Sequence, residues 1–235
     1  MKNFNIVFCD NKMKEELSIA FNKCIKGYHL MNGSPINETM WEDLNELILT
    51  ACGIEVMNKS NGSHSPGMDI NCSLGRLSNK SAKYDAKKNI SISSYRLTTI
   101  CSDRKCGIPE DIIKEIQKRK NFDYYSCIIR DENKENNTIK YDWLMIPANY
   151  KVLDPSSYQW IPTIGQKGDK KDTQVGWNTN EIDGSKMRVV FSMSSQLWID
   201  IIMTDELKEF IIVSTEVSNE PKLNYLQLVD ILQLK

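Results

Sequence analysis

Residues 109–146 predict a helix followed by two apolar strands, and this unit constrains the fold more than any other stretch of the chain. Pro109 suits the first position of a helix, acidic residues fill the first turn and three isoleucines line one side. Residues 123–130 then have the pattern of a buried strand, and residues 139–146 have that of its partner. A helix that leads directly into paired buried strands predicts an α/β architecture.

The region before this unit predicts two helices and a group of strands. Helical spacing of apolar residues covers 10–30 and a second segment from about 38 to Ala51, which Gly53 ends. Strand patterns follow at 54–57, 68–74, 76–83 and 89–100. We expect the last three of these strands to lie next to one another. The order of helices and strands from residue 10 to residue 146 then predicts an α/β sandwich, with a mixed central β-sheet flanked by helices.

The last third of the chain differs in character from the first two thirds. Residues 151–180 are rich in Pro, Gly, Lys and Asp, and we expect 165–180 to be a long irregular segment. Strands are expected at 186–193, 196–202 and 210–213, and a final helix from Leu223. We therefore predict a catalytic core over 1–150 and a β-rich region over 151–235, joined in one compact domain.

Composition excludes several classes of protein. The chain has 235 residues and a net charge of −1, so it is no polycation, although balanced charge is compatible with a local basic cleft. Its start lacks the apolar run of a signal peptide, and no window approaches the roughly 18 apolar residues of a membrane span. Seven cysteines without a CxxC pair indicate neither a disulfide framework nor a zinc ribbon. We expect a cytoplasmic protein with reduced thiols and no membrane contact.

A carboxylate and a lysine come together on neighbouring strands joined through Gly75. Asp69 follows a Pro-Gly pair, where an aspartate often only caps a turn. On the next strand, alternation places Ser78, Lys80 and Ala82 on one face, so Lys80 would lie beside Asp69. Lys83 has the opposite parity and is the second candidate for the lysine. A carboxylate that holds a divalent cation, beside a lysine that positions water, is minimal equipment for phosphodiester hydrolysis.

Three segments resemble the active-site region of type II restriction endonucleases with the PD-(D/E)XK fold. They are His64-Ser65-Pro66-Gly67-Met68-Asp69-Ile70, Leu77-Ser78-Asn79-Lys80 and Ile92-Ser93-Ser94-Tyr95-Arg96-Leu97-Thr98. The resemblance covers residues 38–146 and implies a restriction-endonuclease-like core in which Asp69 and Lys80 are catalytic. Ser78 stands where the family usually has a second acid, so a metal ion would need a carboxylate from elsewhere.

The second predicted helix offers that carboxylate. Glu38, Glu42 and Glu46 lie along one side of it at intervals of four residues, an arrangement that more often marks a solvated face. Because nucleases of this fold place a metal-binding Glu on the helix next to the catalytic strands, Glu42 is our choice and Glu38 the alternate.

The resemblance also implies a mechanism and a cofactor. Asp69, Glu42 and a strand carbonyl, that of Ile70 or Asn79, would hold Mg²⁺, for which Mn²⁺ can substitute. The metal would polarise the scissile phosphate and lower the pKa of a bound water, while Lys80 orients that water. His64 could contact a phosphate, but a local hydrogen bond within its turn is the better interpretation.

The C-terminal region carries the expected DNA-reading residues. Glutamine and asparagine suit contacts with adenine, and lysine suits contacts with phosphates. The indole of a tryptophan can stack on a base or insert between two bases. The alternative is that this segment is an ordinary polar surface loop. Arg96 and Arg104 would contact the backbone near the active site. The remaining candidates are Lys167, Lys170, Lys171, Gln174, Trp177, Asn178, Ser194 and Gln196.

These features predict a Mg²⁺-dependent, sequence-specific endonuclease that cuts double-stranded DNA at a palindromic site as a homodimer. Its restriction-modification partner would be a DNA methyltransferase that acts on the same site without being bound. The alternatives are another PD-(D/E)XK nuclease, for repair or for a DNA structure, and a non-catalytic DNA- or protein-binding module with a decayed site.

Overall fold

The computed structural model describes residues 11–59, 67–102 and 105–233. Its helices in this part of the chain are α1 (Asn11–Met31), α2 (Glu38–Ala51), α3 (Pro109–Arg119), α4 (Asp205–Lys208) and α5 (Tyr225–Leu232). Three short 3₁₀ helices span Lys151–Leu153, Pro155–Ser157 and Gly168–Lys170. The helices predicted from periodicity at the N-terminal side and at Pro109 are confirmed.

The strands divide between two sheets. They are β1 (Val56–Lys59), β2 (Ile70–Cys72), β3 (Gly75–Lys83), β4 (Ile90–Arg96), β5 (Tyr124–Asn133), β6 (Thr138–Pro147), β7 (Trp160–Ile164), β8 (Gln174–Thr179), β9 (Lys186–Val190), β10 (Gln196–Ile201) and β11 (Ile211–Ser218). The first sheet has the order β1-β2-β3-β5-β6-β11, and the second has the order β4-β10-β9-β8-β7.

The first sheet is mixed, as the sequence predicts. β3 and β5 pair in parallel, while its other neighbours pair antiparallel. A parallel pair needs a crossover connection, and the connection between β3 and β5 contains both β4 and α3. The structure is therefore α/β, with a mixed sheet and a second, antiparallel sheet.

Two expectations about the second sheet are wrong. The strand predicted at 89–100 lies in this sheet as β4 and does not adjoin β3 in the central one. The segment 165–180, expected to be irregular, contains the 3₁₀ helix Gly168–Lys170 and the strand β8. β8 approaches β9 so closely that a Cβ at Gly176 would lie 2.3 Å from the Val189 carbonyl oxygen, so the glycine that resembled a loop signal is a packing requirement.

Two apolar cores make the molecule a three-layer structure. One core lies between helices α1 and α2 and the first sheet, and it includes Phe21, Trp41 and Trp143. The other lies between the opposite face of that sheet and the second sheet with α3, and it includes Ile112, Cys127 and Leu197. The first sheet is thus covered on both faces.

The two sheets exchange strands between the two halves of the chain. β4, from the N-terminal half, forms an edge of the second sheet, and β11, from the C-terminal end, forms an edge of the first. The six cysteines of the described part are free thiols. None of the helices in the described ranges combines the length and apolar character of a membrane span.

Candidate active site

Asp69 lies one residue before β2 and is tied to β3. Its N–H donates to the Leu77 carbonyl at 2.8 Å. Its carboxylate Oδ2 accepts the Asn79 N–H at 2.6 Å and the Ser78 hydroxyl at 3.4 Å. Since β2 pairs only with residues 75–77 of β3, the Asp69 side chain occupies the edge of β3 directly beyond the last pair. The main chain therefore fixes the position of this carboxylate.

Lys80 is buried and paired with an acid from α2. Its Nζ lies 2.7 Å from Glu38 Oε1, and only 12% of the lysine side chain is exposed. Glu38 is the first residue of α2, which begins there because the Asn37 side chain accepts the Met40 N–H. The structure thus brings the start of α2 to the same part of β3 that Asp69 reaches.

The electrostatics of the three groups are coupled. Burial raises the pKa of Asp69 and the Glu38 charge adds to this, against the opposing effects of Lys80 and the Asn79 N–H. Burial acts to lower the pKa of Lys80, but the Glu38 and Asp69 carboxylates outweigh it and the pKa is raised. Lys80 therefore carries its proton at neutral pH, because the two nearby carboxylates stabilise its charge.

The other side of Lys80 faces groups from β5 and β4. In the parallel register Ser78 is opposite Tyr125 and Lys80 is opposite Cys127. The Tyr125 hydroxyl is bonded to Ser94 Oγ on β4 at 2.8 Å. Burial raises the pKa of Cys127 to about 12, which keeps it a neutral thiol. On this side, therefore, Lys80 faces neutral groups, and its charged neighbours are the acids Glu38 and Asp69.

A buried polar network joins α2 to the strands behind the site. Asn45 Nδ2 donates to Asn79 Oδ1 at 2.6 Å and to Ser126 Oγ at 2.9 Å. Trp41 Nε1 donates to the Ser126 carbonyl at 3.0 Å, and Trp143 Nε1 to Ser126 Oγ at 2.9 Å. The same residue, Asn79, thus contacts Asp69 through its main chain and α2 through its side chain. The network fixes α2, and with it Glu38, against β3.

The donor set is compatible with a hard cation. Mg²⁺ is commonly held by one or two carboxylates and several waters, and both recorded bonds to the Asp69 carboxylate involve Oδ2, so Oδ1 accepts none from the described residues. Glu38 supplies a second carboxylate on the same side of β3. In the described ranges, no three His, Cys, Asp or Glu side chains form a preassembled cluster.

The structure places the other predicted catalytic residues as follows. Ser78 is buried beside Asp69, and Ile70 begins β2 directly after it. Glu42 is half-buried one turn beyond Glu38, the acid that contacts Lys80. Lys83 is half-exposed and pairs with Glu132 at 2.6 Å, away from the Lys80 cluster by strand parity. His64 and Arg104 lie outside the described residues.

Three of the predicted DNA-contacting residues meet at the end of β4. Arg96 is exposed and lies directly opposite Gln196 on β10, and Ser194 is in the exposed turn just before that strand. Ser94, two residues before Arg96 on β4, contacts Tyr125, which in turn lies near enough to Lys80 to influence its pKa, so β4 connects this cluster to the candidate active site.

The other predicted contacts lie on the β7–β8 hairpin, whose strands are the third and fourth from β4 in the second sheet. Lys167, Lys170 and Lys171 are exposed in the hairpin connection. Gln174 and Asn178 are half-buried on β8. Trp177 packs against the core, and its indole N–H donates to the Cys106 carbonyl at 3.1 Å. The indole is thus already engaged in the free protein.

Two features of the site were not identified from sequence. Tyr125 lies in a run that resembles an ordinary buried strand, and only the register with β3 shows that it faces Lys80. Asn45 sits in the apolar stripe of α2, where a single buried asparagine is the one sequence sign of a polar contact.

No protein-family model matches the chain, and no curated protein or solved structure is significantly similar to it.

Proposed function

We propose that the protein is a Mg²⁺-dependent endonuclease that hydrolyses DNA phosphodiester bonds at the β2–β3 site. The supporting observation is the buried Lys80, which pairs with Glu38 at the start of α2 and lies near enough to the Asp69 carboxylate for both acids to raise its pKa. A buried cation with two acids is costly to maintain without a use, and perturbed titratable groups concentrate at functional sites.

Each residue has a role that its environment supports. Asp69 provides a carboxylate fixed by the Asn79 main chain, and Glu38 provides a second one from α2. Bound Mg²⁺ would supply Lewis acidity toward the phosphate and acidify its water. Since the pKa of Lys80 is raised, its side chain serves to orient the attacking water and to stabilise developing negative charge, and does not remove a proton.

The proposal extends to site-specific cleavage by a homodimer. Arg96 and Ser194 are exposed and Gln196 is half-buried at the end of β4, and these polar side chains suit contacts with backbone and base edges. The hairpin lysines suit phosphates. A palindromic target is matched by two-fold symmetry in the protein, and a methyltransferase acting on the same sequence would protect the host DNA.

Incubation of a supercoiled plasmid with the protein and Mg²⁺ tests this function. Discrete fragments with a common end sequence are expected, and Mn²⁺ should replace Mg²⁺. A smear or nicking would favour a repair or structure-specific nuclease. Intact plasmid that nevertheless binds the protein would favour a non-catalytic module, an alternative that the neutral Ser78 at the position of the usual second acid specifically supports.

A matched pair of variants distinguishes the two candidate acids of α2. Glu38→Gln should reduce cleavage strongly because it removes the negative charge beside Lys80 and a candidate carboxylate ligand for Mg²⁺, whereas Glu42→Gln, one turn further along the same helix, should retain most of it. The reverse order would identify Glu42 as the metal-binding acid. Titration of cleavage with Mg²⁺ shows whether the loss is in metal affinity.

A further inference from the structure

Helix α5 exposes apolar side chains on more than one side. Tyr225, Leu226 and Ile231 are 72%, 78% and 62% exposed, and Val229 and Leu232 are also exposed. A helix that is apolar around most of its circumference is normally buried. Nothing in the described part of the chain covers these side chains.

The helix is nevertheless well formed at its ends. Asn224 and Gln227 make a reciprocal capping box, and Gln233 closes the C-terminus in the left-handed conformation. Eight residues are too few for a stable isolated helix in water. The helical form of α5 therefore implies a packing partner, whose contacts offset the conformational entropy that the backbone loses on folding.

The segment that leads into α5 is attached to the end of α1. The N–H groups of Lys222 and Leu223 donate to the Leu30 carbonyl at 2.9 and 3.0 Å. Tyr225 lies near enough to Tyr28 of α1 to add to the pKa increase that burial causes there. Leu30 is itself 37% exposed, so the end of α1 presents a further apolar side chain where the chain leads into α5.

Charge restricts what can cover the apolar surface of α5. Asp230 is the one charged residue of α5, and the helix has no lysine or arginine. A surface that binds DNA or an anionic membrane needs basic side chains. An apolar partner surface with little charge is required, and α5 itself offers one.

The size of that surface suits a second copy of this chain. Tyr225, Leu226, Val229 and Leu232 lie within about 120° of the helix circumference, whereas Ile231 lies on the other side. Burying those four side chains together with Leu30 removes about 500 Å² of surface from one copy, and so about 1,000 Å² from two, the lower bound of a specific interface. A two-fold contact uses the same patch on both subunits. We propose that α5 pairs with α5 of a second copy and forms a homodimer.

This association does not rest on the nuclease activity, because it is measured without DNA or metal. Light scattering and sedimentation of the full chain at micromolar concentrations should show a dimer that dissociates on dilution. The double variant Leu226→Lys/Leu232→Lys should be a monomer at the same concentrations. Met193→Lys is the matched control, since Met193 is 89% exposed on a turn of the second sheet and should leave the dimer intact.

Hydrogen exchange in the unmodified protein gives an independent measurement. Amides 225–232 should exchange more slowly as protein concentration rises, whether or not the lysine variant folds well. A monomeric wild type, a double variant that remains dimeric or α5 amides unprotected in the dimer would overturn the proposal. Binding of monomer to neutral phosphatidylcholine vesicles would also overturn it and would identify a lipid surface as the partner of α5.

Discussion

The β2–β3 site and the β7–β8 hairpin are both polar, but their polar groups are in opposite states. At the site, Asp69 and Lys80 are largely buried and each has defined partners. In the hairpin connection, Lys167, Lys170 and Lys171 are exposed, and none of them forms an ion pair with the residues that the structure describes. The β2–β3 site holds a carboxylate and a lysine in defined positions, whereas the hairpin presents three exposed lysines without defined partners among the described residues.

This difference predicts a division of labour. Chemistry at a phosphate needs groups held in place before the substrate arrives. Attraction of a polyanion depends on the number of charges and tolerates freedom in their positions. Substitutions at the site should therefore change cleavage without changing affinity, and substitutions in the hairpin should do the reverse.

The largest expected effect is that of Lys80→Ala. Cleavage should fall by about 1,000-fold or more, because a charge that stabilises the transition state is lost. Binding to the specific sequence should survive, measured by gel shift. Lys83→Ala is the control, since Lys83 is half-exposed and pairs with Glu132. Normal cutting by Lys80→Ala together with loss in Lys83→Ala would reverse the assignment of the lysine.

Asp69→Asn should reduce Mg²⁺-dependent cleavage by about 100-fold or more while the protein stays folded. The asparagine oxygen can still accept the Asn79 N–H. Because the pKa of Asp69 is raised in the folded state, the folded protein binds more protons, and this contribution to the unfolding free energy falls as pH rises through the raised pKa.

Without metal, Asp69→Asn should therefore unfold at the same temperature as the wild type or a higher one at pH 8. The difference should disappear at a pH below the usual value for Asp, where both side chains are neutral. A marked loss of thermal stability would instead indicate that Asp69 is a structural turn cap.

The triple replacement of Lys167, Lys170 and Lys171 by Ala tests the other region. Affinity for all DNA sequences should fall by about 100-fold at moderate salt, and the salt slope should decrease by about three. Cleavage at saturating protein should be unchanged. Unaltered affinity would exclude the hairpin from the DNA interface.

The smallest expected effect concerns discrimination among sites. Replacing Gln174 or Asn178 with Ala should reduce the preference for the specific sequence by about 1–3 kcal/mol for each lost base contact. Competition binding with specific and unrelated duplexes measures it. Equal weakening on both duplexes would show that these side chains contact the backbone, or only stabilise β8.

Sequence periodicity predicted the elements of this fold better than their neighbours. Pro109 and the spacing of apolar residues place α3 correctly. The alternation in β4 shows that it is a strand. Alternation carries no information about which strand lies beside it, so the sequence alone places β4 in the wrong sheet. β8 was missed because Gly176 and its polar neighbours resemble a loop when the close approach of β9 is unknown.

The sequence predicts that Asp69 and Lys80 lie close together, but it does not decide which glutamate of α2 joins them. Asp69 and Lys80 follow from strand parity, which is a local property. Glu38 and Glu42 lie on the same side of α2, and only the direction in which the helix crosses β3 decides which one reaches Lys80. That direction depends on the buried contact between Asn45 and Asn79, which links residues far apart in sequence.

The position of β11 has a consequence for synthesis on the ribosome. β11 covers the free edge of β6 and packs its valines against the helix layer. At about 5–20 residues per second, β11 emerges several seconds after β6. During that interval the nascent chain presents an unpaired strand edge and an incomplete apolar face, a template for pairing between chains. Slower elongation after β6 should therefore increase aggregation of the nascent chain.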